Sequence, residues 1–131
     1  MTNDWTCVYS YSRQQAIEDG VLLDLTEHAK KYGFTVPVAI TDAAYAETVE
    51  WADSDKGLGQ STEGRLHDLL SMAYLCALQN VKSGTDTCFF PLRVVPRGGK
   101  GVTPKRVDMK IVIGPGDTAQ PVVTLMLSGE D

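Results

Sequence analysis

Two stretches of this sequence contain residue types that bind ions, and each lacks a part that the chemistry requires. Residues 53–57 (Asp-Ser-Asp-Lys-Gly) begin like a calcium-binding loop, but the twelfth position, which needs a bidentate carboxylate, is Gly64. Residues 98–101 place a lysine among glycines. A phosphate-binding loop needs a helix after that lysine, whereas Pro104 and a strand pattern follow here. We therefore interpret the first stretch as a surface loop and the second as a hairpin tip.

The histidines and cysteines also form no recognisable site. His28 and His67 have no other His or Cys at the spacing of helical metal ligands, and no serine has the context of a catalytic triad. The odd number and wide spacing of the cysteines fit neither a disulfide framework nor a zinc site. Cys76 and Cys88 lie in apolar patterns and are expected to be small core residues. The sequence thus predicts no catalytic residue, metal or cofactor.

The charges are divided unevenly along the chain, whose net charge is −5. Residues 1–68 hold 12 acidic and 5 basic side chains, and five of those carboxylates fall on one predicted helix and the loop after it. Such a surface would meet a basic partner, since complementary charge speeds encounter and disfavours wrong partners. The candidate partner-binding residues are Asp42, Glu47, Glu50, Asp53 and Asp55.

An alternative site lies in residues 93–110, which hold six basic side chains and one acid. Six cations on one β-ribbon could contact several phosphates of a nucleic acid. The overall acidity and the lack of interleaved aromatic residues count against this interpretation. The candidate nucleic-acid-binding residues are Arg93, Arg97, Lys100, Lys105, Arg106 and Lys110.

Four helices are predicted to position these residues. Ser12 and Gln15 form a capping box for a short helix that stops at Gly20, and Thr26 is expected to cap a second, from Glu27 to Tyr32, that ends at Gly33. A third helix is predicted from Asp42 to Ala52. The longest, from Glu63 to Val81, has an apolar face over three turns. Seven residues define that face: Leu66, Leu69, Leu70, Ala73, Tyr74, Ala77 and Leu78. Met72, Leu75 and Cys76 widen it past half the circumference, so we expect this helix to be central, with the sheet on one side and other helices on another.

The strands are expected mainly at the C-terminal end. Residues 87–95, 106–113 and 121–127 have strand patterns, and the second alternates cleanly, with Val107, Met109, Ile111 and Ile113 on one face. Short connections predict a three-stranded antiparallel meander. Residues 21–25 look like a short buried strand, and Pro37 makes residues 34–40 an edge or irregular segment. We expect one α+β domain, with N-terminal helices and a long central helix packed on the meander.

The composition fits an ordinary globular chain of 131 residues. The longest apolar runs are far shorter than the roughly 20 residues that span a bilayer. The first residues have neither the basic nor the apolar part of a secretory signal, so a cytoplasmic protein is expected.

Three stretches taken together resemble an uncharacterised family of small proteins carried by phages, plasmids and integrative elements. The stretches are residues 9–22, residues 63–70, and residues 114–117 with 121–127 and the terminal Gly129-Glu130-Asp131. The resemblance covers nearly the whole chain, but the family has no assigned activity, so it implies no site residues.

The genomic setting of such families suggests a function by analogy alone. Small acidic proteins on mobile elements often block host defences by binding a nuclease or its guide complex. The leading expectation is therefore a non-enzymatic inhibitor of the anti-CRISPR or anti-restriction type, which binds a host protein or nucleoprotein complex. A nucleic-acid-binding module is the alternative, followed by an enzyme or a small-molecule sponge. A homodimer through an uncovered sheet face also remains open.

Overall fold

A computed structural model describes residues 12–52, 60–83, 86–97, 103–118 and 120–130, with the backbone alone for 80–83. In these residues four helices accompany one sheet. The helices are α1 (Arg13–Glu18), α2 (Thr26–Lys30), α3 (Asp42–Thr48) and α4 (Thr62–Ser83). The strands are β1 (Leu22–Asp24), β2 (Val38–Thr41), β3 (Thr87–Val94), β4 (Lys105–Pro115) and β5 (Pro121–Leu127). The α+β class is confirmed.

The sheet is larger than the predicted meander. Its order is β1-β2-β5-β4-β3, and β3, β4 and β5 are antiparallel neighbours, as expected. β5 also pairs in parallel with β2, and β2 pairs with β1. The prediction of a three-stranded sheet was therefore wrong in extent. β2 lies inside the sheet rather than at an edge, because it begins at Val38, one residue after Pro37, whose carbonyl accepts a hydrogen bond from the Val123 amide (2.8 Å).

The two faces of the sheet are covered differently. The inner face carries the fully buried side chains of Ile40, Met109, Ile111 and Leu125, which form one cluster with residues of α2, α3 and α4. The outer face carries the alternate residues of the same strands and receives α1 at one end. Phe89 on this face is 63% exposed. Most of the hydrophobic stabilisation therefore comes from the inner face.

The long helix supplies much of that core. Leu69, Leu70 and Ala73 are fully buried, and each leucine contributes about 1.5–3 kcal/mol by leaving water. The predicted apolar face is confirmed at these positions. Met72, Leu75 and Leu78 are 37%, 57% and 44% exposed, so the expectation that other helices cover this side of α4 was wrong at these three positions. The helix therefore has an apolar strip that faces away from the sheet.

Gly33 fixes how the chain leaves α2. Its φ of 113° is a conformation that residues with a Cβ rarely adopt. A Cβ at this position would lie 2.5 Å from the Tyr74 ring of α4. The glycine predicted to end the second helix therefore also permits its close packing on the fourth.

Two of the cysteines form a disulfide that was not predicted. Cys76 of α4 and Cys88 of β3 are joined, with their Cα atoms 6.6 Å apart. Their apolar patterns were interpreted correctly as inward-facing, since Cys76 is buried and Cys88 is half-buried. What the spacing could not show is that α4 packs directly on β3, which brings the two side chains together.

Removing this bond should destabilise the fold. Cys88→Ser is expected to lower the free energy of unfolding by about 3 kcal/mol, as for other loops of similar length, because the bond restricts the unfolded chain. Urea unfolding with and without a reducing agent measures the effect. The reducing agent should weaken the wild type to the level of the variant and leave the variant unchanged. A wild type that is indifferent to reduction would contradict the prediction.

Candidate functional site

Helix α3 presents the described part of the predicted acidic surface. Asp42, Glu47 and Glu50 are all exposed, with Glu50 two residues beyond the end of the helix. The exposed residues between them include Ala43 and Ala46, which are small. Asp53 and Asp55 lie outside the described residues. The predicted helix end at Ala52 was too late, since α3 ends at Thr48.

The N-terminus of α3 is held by two side-chain hydrogen bonds in series. Thr41 caps the helix by accepting a hydrogen bond from the Ala44 amide (3.2 Å). Its hydroxyl donates to the Glu130 carboxylate (2.7 Å), and the same carboxylate oxygen accepts from the Leu127 amide (2.7 Å). The C-terminal Gly-Glu motif thus ties the first turn of the acidic helix to the end of β5.

The C-terminus of α3 is held by a buried arginine of α4. Arg65 is only 4% exposed. Its guanidinium donates to the carbonyl of Glu47 in the last turn of α3 (3.4 Å) and to that of Val49 just after it (3.1 Å). Carbonyls at the end of a helix have no partner within the helix. It also donates to the Val95 carbonyl (2.8 Å), just after β3. One side chain therefore joins α3, α4 and the end of β3.

Further contacts close the connection between α3 and α4. The Thr62 hydroxyl donates to the Trp51 carbonyl (2.9 Å) and accepts from the Trp51 amide (3.1 Å). The Arg65 guanidinium lies 5.0 Å from the centre of the Trp51 ring, a cation–π distance. The acidic helix is thus fixed at both of its ends.

Sequence reasoning missed the role of Arg65, although a signal was present. Arg65 is four residues before Leu69 and eight before Ala73, so it lies on the side of α4 that faces the core. A charged residue at such a position is rarely buried without partners. Only the fold supplies those partners, because they are backbone carbonyls from distant segments.

The basic residues of the hairpin do not form one cationic surface. Arg93 and Arg106 pair across β3 and β4 on the outer face, whereas Lys105 has the register of the inner face. Arg106 contacts Asp108 (2.7 Å), and Lys110 donates to the Glu130 carbonyl. Lys100 lies outside the described part of the chain. These contacts occupy cations that the nucleic-acid interpretation would need.

The acidic and basic regions meet at an ion pair. Arg97, which follows β3, contacts the Glu50 carboxylate. The predictions from the sequence assigned Glu50 to the acidic surface and Arg97 to the basic hairpin, as if the two were separate. The packing of α3 beside the end of β3, through Arg65, brings them together.

A groove of about 850 Å³ opens on the outer face of the sheet, between α1 and the turn after β4. Val112, Val122 and Met126 contribute apolar lining, while Arg13, Thr41 and Thr124 contribute polar atoms. No charged side chain of one sign dominates it, and its mixed lining identifies no ligand. Throughout the residues described, no three His, Cys, Asp or Glu side chains form a group that could hold a metal ion.

The turn after β4 and the start of α1 are joined at one end of this groove. The Asp117 carboxylate accepts hydrogen bonds from the amides of Arg13 (2.8 Å) and Gln14 (3.0 Å), while Ser12 accepts from Gln15 (3.0 Å), which confirms the predicted cap. The Arg13 guanidinium donates to Thr124 Oγ1 and the Val123 carbonyl, both at 2.7 Å. These contacts lock α1 onto the sheet.

Burial and nearby carboxylates act in opposite directions on the pKa of Arg13. Burial lowers the pKa of the guanidinium from its usual value, and the nearby charges of Asp24 and Asp117 oppose that change. The pKa of Asp24 is lowered chiefly by the hydrogen bond from the Thr26 hydroxyl (2.5 Å). Thr26 thus holds the Asp24 carboxylate instead of capping α2, whose N-cap is Leu25.

The fold and these contacts define an α+β protein with a half-covered five-stranded sheet and a firmly held acidic helix. A family of unknown function, DUF6573, matches residues 3–131, and the chain belongs to that family. No curated protein and no solved structure matches it. No helix within the described ranges is long and apolar enough to cross a membrane.

Asp117 provides a test of how α1 is held. Asp117→Ala is expected to lower the free energy of unfolding by about 1–2 kcal/mol, since two amides at the start of α1 lose their acceptor. Urea unfolding measures this cost. Glu18→Ala, which removes an exposed carboxylate from the same helix, is the matched control and should change stability by less than about 0.5 kcal/mol. Equal effects of the two substitutions would contradict the assignment.

Proposed function

We propose that this protein is a non-enzymatic inhibitor, encoded on a mobile element, that binds a host defence complex of the CRISPR or restriction type. The acidic surface of α3 is the proposed contact, with Asp42, Glu47 and Glu50 as its described members. The observation that supports the proposal best is that α3 is held at both ends. This helix is only seven residues long, yet both ends are held by side chains from distant parts of the chain.

A firmly held acidic surface suits the recognition of a basic partner. A helix whose backbone is already fixed loses little backbone conformational entropy on binding. Exposed charges also accelerate encounter with a surface of opposite sign, and a nuclease or guide complex has such a surface because it binds phosphates. Ala43 and Ala46 would let cationic side chains of the partner approach the helix closely.

The ion pair between Glu50 and Arg97 makes the three carboxylates unequal in how strongly they attract a basic partner. Arg97 already offsets the charge of Glu50. Asp42 and Glu47 are therefore expected to contribute more of the attraction than Glu50 does. This order separates the proposal from a simple dependence on net charge.

The nucleic-acid alternative has one observation in its favour. Arg93 and Arg106 lie side by side on the outer face of the sheet, and both are exposed. The ion pair of Arg106 with Asp108 weakens it. Binding of a DNA duplex that is lost on Arg93→Ala, together with a steep dependence on salt, would favour this alternative.

Plasmid transformation tests the inhibitor proposal. In a host whose restriction or CRISPR system attacks the plasmid, expression of the wild type should raise the number of transformants. The double variant Asp42→Asn/Glu47→Gln should weaken binding at least tenfold, or about 1.4 kcal/mol, and should therefore lower the number of transformants. Loss of attractive charge at the contact is the physical reason.

The control removes the same charge elsewhere. Glu18→Gln/Glu27→Gln neutralises two exposed carboxylates on α1 and α2 and should protect as well as the wild type. Thermal unfolding of both variants confirms that neither has lost its fold. Protection that survives in the α3 variant, or that falls equally in both, would refute the proposal. So would a wild type that protects against no defence system of either type.

A further inference from the structure

The side of α4 that faces away from the sheet carries an apolar strip. Met72, Leu75 and Leu78 are 37%, 57% and 44% exposed, although neighbouring positions of the same helix are fully buried. Residues 69–81 include no charged side chain. An ordinary solvent-facing helix surface is polar, so this strip is typical of a surface that packs against another helix.

The strip has an internal symmetry about Leu75. Met72 and Leu78 lie three residues before and after it, and Ser71 and Gln79 lie four before and after. Asp68 lies seven residues, or two helical turns, before Leu75, and Lys82 lies seven residues after it. Apolar residues thus flank the centre, polar residues follow, and opposite charges occupy the two ends.

We propose that α4 binds α4 of a second copy of this chain, antiparallel, across a two-fold axis at Leu75. In such a pair, a position before the axis faces the equally distant position after it. Leu75 meets Leu75 of the second copy, and Met72 meets its Leu78. Position 68 of each copy, an aspartate, faces position 82 of the other copy, a lysine, so this pairing of opposite charges occurs at both ends of the contact.

The charge order argues for a second copy rather than an unrelated helix. A parallel arrangement would place each aspartate beside the other aspartate and each lysine beside the other lysine, which is unfavourable. The antiparallel arrangement pairs opposite charges without any other partner. Ser71 is small enough for the helices to approach closely along the spacing of 68, 71, 75, 78 and 82, which alternates between three and four residues.

The strip spans about three turns and carries only three large apolar side chains, so we expect a weak, reversible dimer. This contact involves neither α3 nor the outer face of the sheet. It does not depend on the proposed inhibitor function.

Sedimentation equilibrium at protein concentrations up to about 1 mM, which detects association as weak as about −4 kcal/mol, tests the proposal. The wild type should show a monomer–dimer equilibrium. Leu75→Glu should weaken association at least tenfold, because two carboxylates would face each other at the axis. Phe89→Glu is the matched control: it changes an exposed apolar residue on the outer sheet face and adds the same charge. It should dimerise like the wild type.

Charge reversal tests the antiparallel register independently. Asp68→Lys and Lys82→Asp should each weaken the dimer several-fold, and the double variant should recover it. If Leu75→Glu does not fold, as judged by circular dichroism, Leu75→Ser takes its place with the same expected direction. A wild type that stays monomeric at the highest concentration would overturn the proposal. Association that is unaffected by substitution of Leu75 would do the same.

Discussion

A buried guanidinium and the carbonyl groups that surround it determine how α3 and α4 sit relative to the end of β3. Removal of a charge from water is costly unless hydrogen bonds compensate it, and the last turn of a helix leaves carbonyls that need donors. The hydrogen bonds between Arg65 and the end of α3 meet both requirements, because the buried guanidinium gains acceptors and the carbonyls gain donors. Since the same side chain reaches the Val95 carbonyl, it also fixes the end of β3 relative to the two helices.

The opposite end of α3 depends on a second long-range tie, from Glu130 through the Thr41 hydroxyl. The acidic helix is too short to be stable by itself, because helices of this length lack the cooperativity to persist alone in water. Its orientation is therefore a property of the whole fold. The proposed partner surface inherits its rigidity from residues that would not touch the partner.

Local patterns in the sequence predicted the elements whose signals are long or strongly periodic. The buried face of α4, the alternation of β4, the Ser12 cap and the helix stop at Gly20 all follow from residues that are close in sequence. The second helix was predicted to reach Tyr32, but it ends at Lys30, three residues before Gly33. β1 and β2 have three and four residues, too few for periodicity to show how they pair. Parallel pairing of β2 with β5 joins segments more than eighty residues apart, which no local pattern reports.

The same limit explains what was missed in the candidate site. Glu47 was correctly expected to face solvent, because its spacing on the helix is local information. Glu50 is exposed as expected, although it lies beyond the end of the helix on which it was predicted. The ion pair of Glu50 with Arg97 and the disulfide between Cys76 and Cys88 depend on which elements pack together. Charge runs counted along the sequence therefore overstated how separate the acidic and basic surfaces are.

Native-state hydrogen exchange of Arg65→Lys tests most directly whether this arginine holds the acidic helix. Lysine keeps the charge but cannot reach several carbonyls at once, as the planar guanidinium does. We expect the amides of Tyr45 to Val49 to lose about 2 kcal/mol more opening free energy than the amides of β4, because hydrogen bonds to a charged group are lost at the end of α3. Amides of α3 that stay as protected as in the wild type, or that change only in step with β4, would contradict the account.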